Sequence, residues 1–405
     1  MTIDFDTGVL APDPERRRFV LGWLMDALRA VDPERLTAEA LADRHSGPAT
    51  VIAIGKAAPA MARGAASVLD VTGGICVSGH PNGVPKTMKS VVGDHPVPGK
   101  RSLAAGAAVL DAVKGIPPTV DLVALVSGGG SALCESPREG VPADFLRRVN
   151  ASLIASGADI EAVNLVRSHL STVKGGGLAA AAGRPIDTYV ISDVGAAGAE
   201  VVASGPTIPG RHDPDAALQI LKEVSIDVPE QVAEAMRARI SSLPAPRVSI
   251  LADGRTAARA IADAAPGPGR MAPAWLNGDL SACLRRFLRA AGPGVTVGTG
   301  EVTLQITGKG AGGRNTHAAL LAAGALHPGE LFCAFATDGM DGSSDAAGAI
   351  VDGSTLMRGG DPSGAIHGCD SAAYLAATSD LIRCGPTGTN VSDLWILWRG
   401  SMAPP

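Results

Sequence analysis

Short apolar runs recur along the chain, each followed by glycine or charged residues and then by a helical pattern. Six of these runs are TVIAIGK, LVALVSGGG, TYVISDV, RVSILADG, EVTLQITGKG and LFCAFATDG, which begin at residues 50, 122, 188, 247, 301 and 331. Apolar runs of this length predict buried strands, and apolar residues three and four apart between them predict helices. Alternating strands and helices indicate an α/β fold with largely parallel sheets, whose ligands bind at the carboxyl ends of the strands.

The composition of the chain limits what the protein binds and where it works. With 405 residues, of which 46% are hydrophobic, the chain is more natural as two domains than as one. A formal net charge of −5 argues against nucleic acid or an anionic membrane as the main partner. The acidic amino terminus lacks the features of a signal peptide, and no apolar run approaches membrane-spanning length. Six scattered cysteines without a CxxC pair favour reduced thiols, so we expect a cytoplasmic protein.

A run of glycine and serine, Ser127-Gly128-Gly129-Gly130-Ser131, follows one of the predicted strands. Three interpretations are open: a flexible linker, a tight turn, or a loop that brings backbone N–H groups close to a ligand. Linkers are normally surrounded by polar sequence, whereas a buried strand leads into this run. Glycines at the end of a strand in an α/β sheet are typical of phosphate-binding loops.

Two cations directly follow glycine at predicted ligand-binding ends. Lys56 follows the strand VIAIG, and Arg314 follows GKGAGG. An ammonium can neutralise charge on a phosphoryl group in transfer, and the planar guanidinium suits phosphate or carboxylate oxygens. The alternative for both is a solvated side chain on the first turn of a helix, where the helix dipole disfavours a cation.

The segment Gly308 to Gly313 matches GxGxxG and contains Gly310, Gly312 and Gly313. Alone, this is weak evidence for a dinucleotide site, because Asp338, the acid that would bind the ribose, comes later than the usual interval of about 20 residues. The sequence has no GxxxxGK[ST], so the motif of a P-loop NTPase is excluded.

Acidic residues also follow the predicted strands. Asp193 ends VISD, and Asp338 and Asp341 lie in ATDGMDG. Carboxylates at strand ends are ligands that Mg²⁺ prefers, and one of them could instead accept a proton from a hydroxyl group. Asp residues also cap helices and turns, so each has a structural alternative.

Two further polar segments carry candidate residues. The segment AVNLVRSHLSTVKGG places Asn164 and Arg167 on one face of a predicted helix, with His169 beside them. The turn GPTGTNVSDL, which contains Asn390, is either an anion pocket of backbone and hydroxyl groups or a plain loop.

Together these motifs resemble one family, the glycerate 2-kinases whose carboxyl-terminal region is the MOFRL domain. The matching stretches run in order from about residue 50 to 394 and include AIGKAAPAMARGA, LVSGGGSAL, VISDV, GKGAGGRN, ATDGMDGSSDAAGAIVDG and GPTGTNVSDL. The resemblance implies two α/β domains: a Rossmann-like parallel sheet in residues 1–243 with 385–405, and a mixed sheet with helices in residues 244–384. It also implies an active site in the cleft between the domains and a final strand that returns to the first domain.

The resemblance implies a phosphotransferase with an alcohol group as acceptor, which uses ATP and Mg²⁺ to phosphorylate D-glycerate or a related hydroxy acid or polyol. By motif, it assigns the family's site to Lys56, the loop Gly128 to Ser131, Asp193 and Arg314. To the nucleotide contacts we add Ser127, Gly310, Gly312, Gly313 and Asn390, and we expect Asp193 and Asp338 to bind the metal. The partner is then a small molecule, with no nucleic acid or membrane, and a homodimer stays open. Because some members are named hydroxypyruvate reductases, an NAD(P)H-dependent reductase remains an alternative.

The chain departs from the family pattern at three acidic positions. Gly195-Ala196-Ala197-Gly198 stands where Pro-Gly-Asp-Asp is usual, Thr316-His317 stands where Gln-Glu is usual, and PAWLNGDLSACL lacks a Gly-Glu-Ala element. Loss of carboxylates at these three places predicts weaker magnesium binding, a different acceptor, or a non-catalytic homologue. Glu200 and Asp213 are candidate replacements.

Overall fold

The computed structural model describes residues 3–10, 12–44, 47–80, 82–157, 159–195, 198–240 and 244–400. The chain divides into two compact units. We call Pro33–Ser192 with Ala197–Leu251 the parallel-sheet unit, and Met1–Asp32 with Asp193–Ala196 and Ala252–Pro405 the mixed-sheet unit. None of the described helices is both long and apolar enough to cross a membrane.

The strands and helices alternate along most of the chain. The strands are β1 (Pro48–Ile54), β2 (Asp70–Ser78), β3 (Lys89–Val92), β4 (Asp121–Ser127), β5 (Asp187–Ile191), β6 (Arg247–Ala252), β7 (Gly269–Met271), β8 (Leu276–Asp279), β9 (Gly294–Thr303), β10 (Leu331–Ala336), β11 (Gly348–Asp352), β12 (Leu381–Ile382) and β13 (Asp393–Arg399). The helices are α1 (Pro14–Ala30), α2 (Pro33–Leu41), α3 (Ala58–Val68), α4 (Lys100–Ala112), α5 (Gly130–Leu133), α6 (Ala143–Ser156), α7 (Ile160–Leu170), α8 (Gly177–Ala182), α9 (Pro214–Glu223), α10 (Glu230–Arg237), α11 (Gly254–Ala264), α12 (Leu280–Ala290), α13 (Arg314–Ala323), α14 (Thr355–Gly359), α15 (Ser363–His367) and α16 (Ser371–Ala377). Two short 3-10 helices span Thr7–Leu10 and Val202–Ser204.

The six-stranded sheet has the order β3-β2-β1-β4-β5-β6. The pairs β2–β3, β1–β2, β1–β4 and β4–β5 are parallel. Strand β4 is buried along almost its whole length, as expected for a parallel strand that is covered on both faces. The predicted α/β fold with a parallel first sheet is confirmed.

The second sheet is mixed, in the order β12-β11-β10-β13-β9-β7, and β8 also pairs with β9. Strand β13 lies antiparallel between β9 and β10, whereas β7 and β8 run parallel to β9. The sheet packs on a core in which the rings of Phe287, Phe332 and Trp395 meet edge to face, with centroids 5.8 to 6.2 Å apart. The predicted mixed second sheet is confirmed.

The observed division differs from the predicted domain boundaries at both ends of the chain. The amino-terminal 32 residues belong to the mixed-sheet unit. We expected the final strand to join the first domain, but β13 pairs with β9 and β10 instead. The physical reason is that β13 is apolar on both faces, so it is stable only between two neighbouring strands under covering helices.

Candidate active site

The glycine loop after β4 is bonded to the loop after β1. The two strands are parallel neighbours, with Ile54 opposite Val126, so both loops lie at the same edge of the sheet. The backbone N–H of Lys56 donates to the carbonyl of Gly128 at 2.9 Å, and the N–H of Ala57 donates to Ser127 Oγ at 3.0 Å. These bonds exclude the linker interpretation and make the loop a fixed part of the sheet edge.

The loop also shapes the position of the Lys56 side chain. Gly129 has φ of 79°, in the left-handed region that glycine adopts at little cost. A Cβ added to Gly129 would lie 3.0 Å from Lys56 Cγ and 3.5 Å from His95 Cδ2. The stem of Lys56 therefore packs on the bare backbone of Gly129, and a side chain at residue 129 would push it away.

The hydroxyl of Ser131 belongs to a chain of hydrogen bonds within the parallel-sheet unit. Ser131 Oγ lies 2.7 Å from Ser204 Oγ, and Ser204 Oγ donates to Asn164 Oδ1 at 2.6 Å. A hydroxyl has only one proton. Because Ser204 gives its proton to Asn164, Ser131 must be the donor to Ser204, and its side chain is left as an acceptor. A phosphate contact of Ser131 would therefore have to come from its backbone N–H.

The segment VASGPT, which packs against the glycine loop, holds an unusual backbone. Ala203, Ser204 and Gly205 all have positive φ, at 52°, 58° and 59°. The carbonyls of Ser204 and Gly205 accept hydrogen bonds of 2.9 and 2.8 Å from Gly175 and Gly176. Non-glycine residues in this region carry strain that is common at functional sites.

The cations and the histidine of the helix α7 region have structural partners. Lys174 is fully buried and forms an ion pair with Glu135, and Arg167 Nε donates to Asn150 Oδ1 at 2.8 Å. Burial lowers the pKa of Lys174, and the charge of Glu135 raises it. His169 has Nδ1 2.8 Å from the Leu165 carbonyl, and its Nε2 accepts from the backbone of Asp213 at 3.2 Å. This pattern requires a neutral imidazole, in agreement with a pKa that burial lowers.

In the mixed-sheet unit, Asp193 is joined to the turn that precedes β13. Asn390 Nδ2 donates to Asp193 Oδ2 at 3.2 Å, and the hydroxyl of Ser392 donates to the backbone carbonyl of Asp193. Ser392 has φ of 78°. The turn is therefore not a plain loop: the Asn390 amide orients the Asp193 carboxylate, and the Ser392 hydroxyl holds the Asp193 backbone.

Asp338 is tied to the same turn through its neighbour Thr337. Thr337 Oγ1 donates to the Ser392 carbonyl at 2.6 Å and accepts from the backbone of Val391 at 3.0 Å. The half-buried Asp338 follows directly, and its Oδ1 accepts from the Met340 N–H at 3.1 Å. The loop after β10 and the Asp193 segment therefore meet at the start of β13.

Arg314 lies between two carboxylates at this end of the mixed sheet. Its Nε donates to Asp393 Oδ2 at 2.5 Å, Nη2 reaches Asp393 Oδ1 at 3.4 Å, and Nη1 donates to Glu301. Burial lowers the pKa of the guanidinium, but Asp393 and Glu301 outweigh burial and raise it. These bonds use three of the five N–H donors of an arginine. The side chain is 33% exposed, so we interpret Arg314 as a held cation with donors left for a ligand.

The glycines of the GxGxxG segment are packed tightly against neighbouring loops of the protein. The Gly310 N–H donates to the Gly368 carbonyl at 2.9 Å, and a Cβ at Gly310 or Gly313 would overlap Asp370 or Asp341. Tight chain packing is thus a sufficient reason for these glycines, and for Gly312, whose carbonyl accepts from Ser343 at 3.0 Å. Their nucleotide contacts stay a prediction, and tight packing alone already explains why these positions are glycine.

The side chain of Asp341 lies at the start of helix α13 and accepts hydrogen bonds from its N–H groups. Its Oδ1 accepts from the Asn315 N–H at 2.9 Å and its Oδ2 from the Thr316 N–H at 2.8 Å. In a dinucleotide-binding fold the pyrophosphate binds at this position of the helix. A carboxylate of the protein takes that place here, so Asp341 is a helix cap and not a metal ligand.

Among the described residues, no three Asp, Glu, His or Cys side chains are grouped closely enough to hold a metal ion by themselves. Mg²⁺ in kinases is usually held by one or two carboxylates together with substrate phosphates. Asp193, oriented by Asn390, and Asp338 fit only such a shared site.

The residues at the three departures, and the candidate replacements Asp213 and Glu200, have structural roles or no assigned role. Asp279, in the element that lacks Gly-Glu-Ala, caps α12 by accepting from Ala282 at 2.8 Å. Asp213 caps α9 by accepting from Ala216 at 3.0 Å. Thr316 joins the Asp341 cap, and His317 is buried with its Nδ1 unpartnered among the described residues. Ala196 and Ala197 lie outside the described residues. Among the described residues, Glu200 has no contact with the proposed catalytic side chains.

Three residues of this site were missed by the sequence analysis: Glu301, Ser392 and Asp393. Ser392 and Asp393 directly follow Asn390 in the quoted motif GPTGTNVSDL, so the signal was present in the sequence. Glu301 begins the run EVTLQITGKG, where a charged residue before apolar ones is typical of an exposed strand position and gives no such signal.

Comparisons with known proteins agree with this architecture. Residues 19–237 match the family model described as a domain of unknown function, DUF4147, and residues 294–393 match the MOFRL family. The D-glycerate 2-kinase of Thermotoga maritima is 32% identical over 95% of this chain and 99% of its own length. A putative hydroxypyruvate reductase of Agrobacterium vitis is 35% identical over 93% of both chains.

Solved structures show the same similarity. The crystal structure of a glycerate kinase from Thermotoga maritima matches with a TM-score of 0.85 and 31% identity, over 96% of this chain and 100% of that one. A Pyrococcus horikoshii protein matches with a TM-score of 0.75 and 32% identity, over 95% of this chain and 98% of that one.

Proposed function

This chain belongs to the glycerate 2-kinase family, and we propose that it transfers the terminal phosphoryl group of ATP to the 2-hydroxyl of D-glycerate. Full-length similarity to glycerate 2-kinases supports an ATP-dependent kinase of this kind. The identity of the acceptor and of its hydroxyl are the parts that we propose. They rest on the family, since the acidic departures leave room for a related hydroxy acid.

The observation that carries the proposal is the bonding of Lys56 to the glycine loop. The Lys56 backbone is anchored on Gly128, and its stem lies over Gly129. Phosphoryl transfer is catalysed mainly by positioning and by cations at the phosphoryl oxygens. A lysine with a restrained stem beside bare backbone meets both needs, so we assign Lys56 to the transferring phosphoryl group.

In the mixed-sheet unit we assign roles to Asp193 and Arg314. Asp193 would accept a hydrogen bond from the acceptor hydroxyl, and the bond from Asn390 holds its carboxylate for that purpose. Arg314 would use its remaining N–H groups on phosphate or carboxylate oxygens, while Asp393 and Glu301 fix its plane.

We propose that the carboxylates of Asp193 and Asp338 would hold Mg²⁺, which would enter with the nucleotide. When bound, the ion would neutralise charge on the phosphate oxygens. The reduced thiols expected from the scattered cysteines and the use of ATP favour a cytoplasmic protein that acts on a small hydroxy acid.

The hydroxypyruvate reductase alternative receives less support. Two Agrobacterium vitis relatives carry that name as putative. The place of a pyrophosphate at the start of α13 is taken by Asp341, which argues against a dinucleotide there. A reductase would have to bind its nicotinamide cofactor elsewhere.

The test is ADP release from ATP and Mg²⁺ that depends on D-glycerate, with the product identified by nuclear magnetic resonance. We expect 2-phosphoglycerate. A parallel assay with hydroxypyruvate and NADH or NADPH should show no loss of nicotinamide absorbance. ATP binding without D-glycerate-dependent ADP would contradict the proposal and point to another acceptor or to a non-catalytic homologue.

A further inference from the structure

A pocket of about 280 Å³ lies within the mixed-sheet unit, outside the residues discussed above. Its apolar walls include Met271, Pro273 and Val297, its aromatic wall is Trp275, and Arg255 and Arg259 complete its lining. Small-molecule sites usually have volumes of about 300 to 1,000 Å³. The pocket lies just below this range, so it would take a single ring system and leave the rest of a larger ligand outside.

Thr299 gives the pocket an unsatisfied polar group. It lines the pocket and is only 4% exposed, and its hydroxyl has no hydrogen-bond partner among the described residues. A buried hydroxyl without a partner is costly. A ligand with a polar ring edge would satisfy it.

The start of helix α11 adjoins the same pocket. A Cβ added to Gly254, the first residue of this eleven-residue helix, would overlap Thr299 Oγ1 and lie 3.1 Å from Trp275 Cη2. Arg255 and Arg259 follow four residues apart on the helix and are both exposed. The helix start itself is capped by Asp253, whose Oδ1 accepts from the Thr256 N–H at 3.0 Å. The two permanent cations, Arg255 and Arg259, are therefore the groups that favour an anion at the pocket rim.

The pocket is connected to the proposed catalytic aspartate. A Cβ added to Gly195 would overlap the Trp275 ring, and Gly195 is two residues from Asp193. On its other side, the added Cβ of Gly254 would lie 2.6 Å from the carbonyl of Val391, which follows Asn390. Trp275 therefore packs against the segment that carries Asp193, and Gly254, beside the pocket, packs against the residue that follows Asn390.

We infer that this pocket binds a purine nucleotide, with the base stacked on Trp275, the base edge on Thr299, and the phosphates directed to Arg255 and Arg259. Aromatic stacking and arginine planes are general means of binding bases. A three-carbon hydroxy acid has neither a planar ring nor enough apolar surface for walls of methionine, proline and valine. The inference rests on the proposed function where it takes ATP as the nucleotide.

Binding is tested first, without turnover, by tryptophan fluorescence. The other three tryptophans, Trp23, Trp395 and Trp398, are at most 3% exposed, so an added quencher such as acrylamide should reach mainly the half-buried Trp275. We expect ATP, ADP, AMP and adenosine to protect Trp275 from the quencher, and D-glycerate and inorganic phosphate to leave it accessible. In Trp275→Phe the accessible tryptophan is gone, so nucleotides should no longer change the quenching. Calorimetry should still detect ADP binding to this variant, because phenylalanine keeps an aromatic ring for stacking.

Kinetics then separate the base, the ring edge and the phosphates. Trp275→Ala should raise KM for ATP by about 10- to 100-fold and leave KM for D-glycerate within about twofold, with Trp275→Phe intermediate. Thr299→Val should raise KM for ATP by about fivefold. The double variant Arg255→Ala/Arg259→Ala should bind ATP and ADP more weakly than the wild type and should bind adenosine equally well. Arg285 and Arg289, exposed and four apart on α12, provide the matched control Arg285→Ala/Arg289→Ala.

The outcomes distinguish this inference from the proposed function. Protection by adenosine with no kinase turnover would retain the pocket and overturn the function. If nucleotides protect Trp275 from the quencher but Trp275→Ala leaves KM for ATP unchanged, the pocket is a nucleotide site separate from the substrate site. Protection by D-glycerate and not adenosine, or normal turnover with no nucleotide effect at Trp275, would overturn the inference.

Discussion

Arg314 and Asp393 form a two-pronged ion pair, with Nε 2.5 Å from Oδ2 and Nη2 3.4 Å from Oδ1. Asp393 is 2% exposed and is the first residue of β13. Because Asp393 belongs to a strand of the sheet, its two hydrogen bonds fix the plane of the Arg314 guanidinium. Its strength depends on the ionisation of Asp393, which leads to the first prediction.

Activity should fall as the pH drops through about 6. Burial raises the pKa of Asp393 to about 6 from 3.8, against the opposing effect of Arg314. Protonation removes the charge that holds Arg314, so kcat/KM should show an acid limb near this pH. Asp393→Asn should lower kcat/KM at pH 8 by about tenfold and remove that limb. A limb unchanged in the variant would contradict the assignment.

The same group affects stability with the opposite sign. Between pH 3.8 and about 6 the folded chain holds a proton on Asp393 that the unfolded chain has released. The contribution of Asp393 to the free energy of unfolding is therefore fully present below its ordinary pKa and is lost as the pH rises through about 6. Urea unfolding of the wild type and of Asp393→Asn at several pH values measures this difference.

Lys56→Ala should lower kcat by about 10²- to 10³-fold, because removal of one preorganised donor from a developing charge has an effect of this size. The free energy of unfolding should change little, since the anchoring bond to Gly128 uses the backbone of residue 56. Lys114→Ala, at an exposed ion pair with Asp111, is the control and should keep full activity. Steady-state kinetics and urea unfolding test both variants, and a Lys56→Ala enzyme within a few-fold of wild type would refute the role.

Gly129→Ala should impair activity more than its loss of stability explains. Its φ of 79° makes a side chain cost about 1 to 2 kcal/mol, and its Cβ would displace Lys56, whose Cγ would be only 3.0 Å away. Gly115→Ala is the matched control, because Gly115 has φ of 70° and open space around its Cβ position. Equal losses of stability with a lower kcat only in Gly129→Ala are expected, and equal kcat values would count against the Lys56 contact.

Asp193 and Asp341 should give opposite phenotypes when each is changed to alanine. Asp341 accepts two backbone N–H groups at the start of α13, so Asp341→Ala should lower the free energy of unfolding by about 2 kcal/mol. Asp193→Ala should lower kcat by about 100-fold with a much smaller effect on unfolding. Measuring both quantities for both variants separates the helix cap from the proposed catalytic carboxylate, and a reversal of the two patterns would overturn both roles.

Much of the fold could be predicted because its signals are local. The apolar runs before Lys56 and Ser127 become β1 and β4, and the glycine loop lies at the strand ends where α/β sheets bind ligands. Backbone conformation, strand burial and helix starts depend on residues within a few positions of each other. The family resemblance drew on the same short motifs, so it agreed with the local interpretation.

The partners of the candidate residues could not be predicted in this way. Asn390 bonds to Asp193 across 197 positions, Arg314 to Asp393 across 79, and Asp341 caps a helix that begins 27 positions earlier. No periodicity connects residues so far apart. The sequence suggested Asp341 as a metal ligand and missed Glu301. An acidic residue can cap a helix, pair with a cation or bind a metal, and the sequence does not distinguish these roles before the partner is known.

The sequence by itself therefore determined the α/β pattern, the position of the glycine run after a strand, and the positions of Lys56, Asp193 and Arg314 as charged groups beside strand or helix ends. Only the tertiary structure decided that β13 lies between β9 and β10, that Asp341 is a helix cap, and that Trp275 and Thr299 line one pocket. The physical reason is that strand order and side-chain partners depend on long-range packing, which buries apolar faces and pairs buried charges wherever the folded chain brings them together.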